Sequence, residues 1–228
     1  MTAPREKTFL LARHEARVLD WLARRVPSRV TPDHMTILGV VAAVGIAAAY
    51  LLSNETPIWL WAASGLLVVH WLGDSLDGTL ARVRKAERPT YGYYLDHLVD
   101  AIATALIGIG LGLSPYMLLA TGLAIVVAYL VLSINTYLET QALGVFRLGY
   151  GRLGPTEARV GLIALNTLLA LGVGLETTIA GLGVTVLDLV GLGAAVLMLG
   201  GLGVRAARNL RTLAAREPYR GEASVSAR

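Results

Sequence analysis

The chain has 228 residues, of which 55% are hydrophobic and 16% charged, with 20 Lys+Arg against 16 Asp+Glu and no cysteine. Soluble domains carry about a quarter charged residues, and a mean hydropathy of +0.60 is more than a water-facing surface sustains. Composition therefore excludes an ordinary soluble domain, and the lack of cysteine excludes disulfides, a thiolate nucleophile and cysteine-ligated zinc.

In chain order, residues 5–30 come first. Phe9, Ala12, Ala16, Leu19, Ala23 and Val26 step by three and four, while Arg13, Arg17, Asp20 and Arg24 form a second stripe. This pattern predicts an amphipathic helix with a cationic face. It reads either as a helix lying on the membrane against anionic headgroups or as a plain cytosolic packing helix. No signal peptide is expected, because the first long apolar run starts near Met35 and reads as a span.

A bilayer core takes roughly 20 helical residues. Six runs meet that length: 33–52, 57–80, 93–113, 115–138, 157–175 and 183–204. Pro32, Pro57, Pro115 and Pro155 sit at or near their starts, where proline suits a helix; Ser53-Asn54, Ser114-Pro115 and Glu176-Thr177 are polar breaks. The expected fold is all-α, a polytopic bundle of six transmembrane helices with an N-terminal interfacial helix. Its expected layout is a cytosolic segment at 1–30, one membrane domain at 31–204 and a basic tail at 205–228.

The cations set the topology. Seven lie between Arg5 and Arg29, four at Arg82, Arg84, Lys85 and Arg88, three at Arg147, Arg152 and Arg159, and six from Arg205 to Arg228, which together are all 20. The three alternate loops have none. By the positive-inside rule both termini and the 2–3 and 4–5 loops face the cytoplasm. Membrane lipids are expected partners, and a nucleic acid polymer is not. Gly108, Gly110 and Gly112, and the set Gly191, Gly193, Gly200, Gly201 and Gly203, suit close helix approach within the subunit or across a homodimer.

Between the second and third runs stands an acidic constellation. Asp74 and Asp77 are three apart, and Asp96 and Asp100 four apart, so each pair shares a helix face. A short loop joins the two helices, which predicts antiparallel neighbours with all four carboxylates at one depth, near the inner surface. Ionisable groups in membrane helices are costly and mark function. Two like charges ~4 Å apart repel by about 4 kcal/mol at an effective dielectric near 20. A cation must hold such a cluster together. Hard divalent ions choose oxygen ligands, and Mg²⁺ pairs carboxylates with phosphates. Two ions would suit four carboxylates and a pyrophosphate. Gly78 follows Asp77 where glycine costs about 1 kcal/mol against alanine, as if a ligand approached the backbone. Ala81 keeps the face low, and Arg82 offers a planar fork for phosphate.

These residues resemble the signature of the CDP-alcohol phosphotransferases: Asp74, Asp77, Gly78, Ala81, Arg82, Gly92, Asp96 and Asp100 stand in its order. The family's spacer after the arginine is usually eight residues; here Val83 to Tyr91 makes nine. Thr31-Pro32-Asp33-His34-Met35-Thr36 resembles the threonine-proline opening of the family's first span. The resemblance implies an enzyme of phospholipid biosynthesis. A CDP-alcohol binds at the cytosolic end, an acceptor hydroxyl attacks the β-phosphorus, and CMP leaves. It implies Asp74, Asp77 and Asp96 as ligands of Mg²⁺ or Mn²⁺, two ions in all. Asp100 is implied as general base, touching metal as well. Asp74, Gly78, Ala81, Arg82 and Gly92 are implied to meet the CDP moiety.

Two arrangements of substrate remain open. Leu148-Gly149-Tyr150 and Gly154-Pro155-Thr156-Glu157, with His97 after Asp96, resemble the branch that transfers phosphocholine or phosphoethanolamine to diacylglycerol. The cluster Arg147, Arg152 and Arg159 suits a phosphate-bearing acceptor, as in transfer from CDP-diacylglycerol to inositol phosphate, glycerol phosphate or serine; it equally suits positive-inside anchoring. Asn135, Glu139 and Glu157 are candidate headgroup contacts, with Glu157 equally a helix N-terminal charge. The rival class is a divalent cation transporter, which would place acids along a path near the midplane. Here, outside the constellation, the spans hold almost only Asp188.

Overall fold

The protein is described from a computed structural model, covering residues 11–144, 154–173, 176–179 and 182–217. Its elements are α1 (Ala12–Ala23), α2 (Pro32–Leu52), α3 (Trp59–Val83), α4 (Pro89–Gly112), α5 (Leu119–Leu143), α6 (Pro155–Ala170), β1 (Glu176–Ile179), β2 (Leu182–Thr185) and α7 (Val186–Arg216).

The architecture is a helical bundle, as the composition demands. α2 packs on α3 and α4, α4 on α5, α5 on α7, α6 on α3, and α1 on α3. Among the described residues, α2, α4, α5 and α7 are long and apolar enough to cross a membrane. Side chains such as Val41, Val127, Val131, Val196 and Leu197 remain exposed on their outer faces, as a lipid solvent allows. The two other expected spans fall outside that group. α3 has 25 residues, but Trp59, His70, Trp71 and Asp74 lower its hydropathy. α6 has 16 residues, about 24 Å at 1.5 Å per residue.

Among the described residues, the strands lie between α6 and α7. The fifth run was expected to reach 175 and the sixth to begin at 183. Instead α6 stops at Ala170, Gly172 takes a φ of 79°, and β1 pairs antiparallel with β2 from Glu176↔Thr185 to Ile179↔Leu182. Thr177, Thr178, Ile179, Val184 and Thr185 are β-branched and favour an extended chain. Asp188 then caps α7, accepting the Thr185 N–H at 2.9 Å and the Leu118 N–H at 2.9 Å. α7 continues past Arg205 to Arg216.

The main core gathers Ile46, Ala49 and Tyr50 of α2, Leu60, Ala63 and Leu67 of α3, Leu111, Leu169 and Leu187. A buried polar chain crosses it. Tyr50 donates to Asn166 Oδ1 at 3.2 Å, and Asn166 Nδ2 donates to Ser64 at 3.2 Å. A second cluster joins α1 to α3 through Leu19, Ala23, Leu76 and Leu80. The inward face of α1 is thus filled by protein, while Val18 and Trp21 stay exposed.

Candidate active site

The site begins with a close helix crossing. A Cβ on Gly73 would stand 2.5 Å from Gly39 N and 2.7 Å from Met35 O. Only glycine lets α2 and α3 meet there. The turn that follows carries Asp74 and Asp77, and the crossing brings Thr36 of α2 within reach. Thr36 Oγ1 donates to Asp77 Oδ2 at 2.7 Å, while the Gly78 N–H donates to Asp77 Oδ1.

Across the site, α4 presents Asp96 and Asp100. One carboxylate oxygen each from Asp74, Asp96 and Asp100 lies within 4.8 Å of the others, with all three residues half-buried. Asp77 stands outside this trio, turned toward Thr36. The expectation that α3 and α4 pack as direct neighbours needs correction. Among the described residues close backbone packing runs from α2 to each of them. Carboxylates of α3 and α4 nevertheless meet within 4.8 Å at one end.

That loop absorbs the nine-residue spacer. Lys85 adopts a φ of 54°, the Ala86 N–H returns to Ala81 O at 2.9 Å, and α4 starts at Pro89. Gly92 then falls one turn before Asp96, exposed, with nothing within 4 Å of its would-be Cβ. At Gly78 the nearest atom to a would-be Cβ is Arg82 Nη1 at 3.5 Å. Neither glycine is required by packing within the protein, and both leave open space beside the acidic site. Ala81 is half-buried and Arg82 exposed, with Arg82 Nη2 donating to Thr79 Oγ1 at 3.0 Å.

The basic residues after the signature turn elsewhere. Arg84 donates to Val26 O at 3.0 Å, to Pro27 O at 2.9 Å and to Val30 O, tying down the α1–α2 connection. Arg88 pairs with Asp33. Among the described residues, the arginine that does reach the trio is Arg159 of α6, whose Nη2 lies 2.6 Å from Asp74 Oδ2.

The remaining candidates divide. His97 Nδ1 is 3.2 Å from Asp96 Oδ2, and its ring lies between Tyr93 and Tyr137, with centroids 4.1 and 4.9 Å away. Asn135 is half-buried on α5. Glu139 is buried and pairs with Arg205 Nε at 2.5 Å. Glu157 acts at the α6 N-terminus: Oε2 accepts the Gly154 N–H and Oε1 the Leu11 N–H, each at 2.9 Å. Arg147 and Arg152 lie outside the described residues.

Sequence reasoning missed Thr36, Arg205 and Glu15. Glu15 was detectable as an acid standing four residues before Leu19, in line with the inward stripe of α1. Thr36 was quoted only within the opening motif of the first span; its bond to Asp77 arises from the glycine crossing.

Three half-buried carboxylates in reach of one another form an all-oxygen donor set, which fits a hard divalent cation. A membrane helix bundle with this set at one end has the makings of a membrane-embedded site for a metal and a phosphate ester. The sequence comparisons agree: the family model for CDP-alcohol phosphatidyltransferase matches residues 29–199, and the chain belongs to that family.

Three curated relatives show its range. A CDP-diacylglycerol–serine O-phosphatidyltransferase of Encephalitozoon cuniculi is 31% identical over 57% of this chain and 35% of its own length. Cholinephosphotransferase 1 of Danio rerio is 26% identical over 66% of this chain and 41% of its own. A phosphatidylinositol phosphate synthase of Cutibacterium acnes is 33% identical over 38% of this chain and 39% of its own. The chain thus matches well under half the length of each.

Proposed function

We propose that the protein is a metal-dependent CDP-alcohol phosphotransferase of phospholipid biosynthesis. The observation that carries this reading is the convergence of Asp74, Asp96 and Asp100 within 4.8 Å, in the order of the family signature. Asp74, Asp77 and Asp96 would hold the metal, with Asp100 close enough to share it; Asp77, outside the trio, would join by turning from Thr36, its present hydrogen-bond partner. Two Mg²⁺ or Mn²⁺ ions, when bound, would neutralise the pyrophosphate and the charge that develops on the leaving phosphate. Asp100 accepts the proton of the acceptor hydroxyl as its oxygen bonds to the β-phosphorus. The bond from that phosphorus to the bridging oxygen breaks, and CMP departs. Gly78, Ala81, Arg82 and Gly92 line the space taken by the CDP moiety.

For the substrates, we propose a donor of the CDP-choline or CDP-ethanolamine type and diacylglycerol as acceptor. The rings of Tyr93, His97 and Tyr137 beside Asp96 offer π-faces and a carboxylate, which suit a cationic amino-alcohol headgroup. The broad alignment with a cholinephosphotransferase is consistent with this choice. A second reading is favoured by Arg159 at the trio: CDP-diacylglycerol would donate to a polar acceptor bearing phosphate.

In the membrane, we place α3 and α6 beside the four long apolar helices as the fifth and sixth spans, with the acidic end and both termini on the cytoplasmic side. Residues 1–30 then form a cytosolic segment, 31–204 the catalytic domain and 205–228 a basic extension that opens as the end of α7. Gly193, Gly200 and Gly203 have nothing within 4 Å of a would-be Cβ, an open small-residue face that supports a homodimer.

The deciding experiment supplies purified protein with a panel of CDP-alcohols and acceptors, with and without Mg²⁺ or Mn²⁺, and follows CMP. Metal-dependent CMP release with CDP-choline or CDP-ethanolamine and diacylglycerol is expected. Release only from CDP-diacylglycerol selects the second reading. Metal flux without CMP release selects a transporter.

A further inference from the structure

Glu15 belongs to α1, outside the bundle, yet its Oε1 accepts three hydrogen bonds from two other helices. Trp71 Nε1 donates at 2.9 Å, Ser75 Oγ at 3.3 Å and Thr156 Oγ1 at 2.9 Å. Trp71 and Ser75 bracket Asp74 on α3. Thr156 stands one turn before Arg159 on α6. A second tie runs in parallel, from the Leu11 N–H to Glu157 Oε1 at 2.9 Å. The other half of α6 is pinned by Asn166 to Tyr50 and Ser64. The first turn of α6, a helix that also packs on α3 directly, is thus tied to α3 through α1.

We propose that Glu15 is a positioning residue: it fixes the first turn of α6 beside Trp71 and Ser75, so that Arg159 is held against Asp74. One carboxylate oxygen shared by three donors makes a cooperative junction, and its geometry is passed to the two residues next to it. Arg159 is a fixed cation that occupies Asp74 Oδ2. Its placement sets how readily the trio accepts a second cation, a consequence that rests on the metal reading above. Released from Glu15, the α6 turn moves off, Asp74 is freed, and a divalent ion meets less repulsion. Loss of Glu15 therefore tightens metal binding, the reverse of what general damage to the fold would do.

The chain has no cysteine, so Lys85→Cys and Ala158→Cys, at exposed positions beside the ends of α3 and α6, carry two unique spin labels. In the full-length protein, pulsed electron spin resonance should give one short distance. Glu15→Ala should add a longer, broader population. Glu15→Gln keeps an acceptor oxygen and should restore most of the original distance. Leu19→Ala, which removes an apolar contact of α1 with Leu76 and Leu80, should leave the distance in place. An unchanged distance in Glu15→Ala, or an equal change in Leu19→Ala, overturns the assignment. Mn²⁺ titration of the unlabelled proteins is the second readout: Glu15→Ala should bind about tenfold tighter, the size of one lost charge contact. Weaker binding would make Glu15 merely structural and overturn the proposal. A parent protein that binds no Mn²⁺, while Glu15→Ala still lengthens the distance, refutes the metal reading and leaves the positioning role standing.

Discussion

Arg159 reaches from α6 to Asp74 of α3, Nη2 to Oδ2 at 2.6 Å, with the two side chains only 13% and 20% exposed. The pair is shielded from water, so it is screened little by salt. It places one positive charge at the edge of three convergent carboxylates. By the metal reading proposed above, a divalent ion and this guanidinium would compete for the same oxygen.

Removing that competitor should be felt in two directions. Arg159→Gln should bind Mn²⁺ more tightly, by about tenfold if the loss is near 1.4 kcal/mol. Its turnover should nevertheless fall, because the cation that steadies Asp74 and faces the incoming phosphate is gone. Calorimetric Mn²⁺ titration beside a CMP-release assay separates these effects. Weaker metal binding in the variant would mean that Arg159 supports the carboxylate cage instead of opposing the ion.

Asp100 should show the opposite division. Asp100→Asn keeps the shape of the side chain but removes the proton acceptor proposed above. CMP formation should be abolished while CDP-alcohol binding, measured by equilibrium titration in the presence of metal, stays largely intact. Near-normal rates in the variant would show that another group takes the proton.

Two glycines on α3 make a matched pair. At Gly73 a methyl would press into Gly39 N at 2.5 Å, so Gly73→Ala should destabilise by about 1–3 kcal/mol through overpacking. At Gly78 the added Cβ meets only Arg82 Nη1 at 3.5 Å. Gly78→Ala should therefore hold or raise the melting temperature, since alanine gains about 1 kcal/mol of helix propensity. Activity should still drop, because the methyl occupies space needed by the CDP moiety. A thermal melt and an assay on each variant suffice; an active Gly78→Ala would remove that glycine from the nucleotide site.

What could be read from the residues follows what is local in the chain. The aspartates stand at spacings of three and four, and the structure brings Asp74, Asp96 and Asp100 together; Leu19 and Ala23, at the same spacing, are buried. Thr31, quoted only within the opening motif, turns out to cap α2. Thr31 accepts the His34 N–H at 3.3 Å, and His34 Nδ1 accepts the Thr31 N–H at 3.0 Å. The partners of Asp74 and Asp77 were not legible. Arg159 is 85 residues from Asp74 and Thr36 is 41 from Asp77; both meetings depend on how helices cross, which no periodicity encodes. The hairpin was hidden for another reason: Glu176-Thr177 reads as a polar break between two spans, and strands of four residues are too short to announce themselves; the pairing of Glu176 with Thr185 decides for the strand.

Glu139 and Arg205 give the last test. Glu139 on α5 and Arg205 on α7 pair at 2.5 Å with side chains 4% and 15% exposed, and α5 is the bundle helix against which α7 packs among the described residues. Arg205→Met should leave a buried carboxylate without its counter-charge, a loss of about 3–5 kcal/mol. Glu139→Gln combined with Arg205→Met removes both charges and should recover much of that stability. The comparison distinguishes a structural pin from a headgroup contact. If Glu139 binds substrate, the double variant will melt near the parent temperature yet stay inactive; if it serves only to hold α7, activity will return with stability.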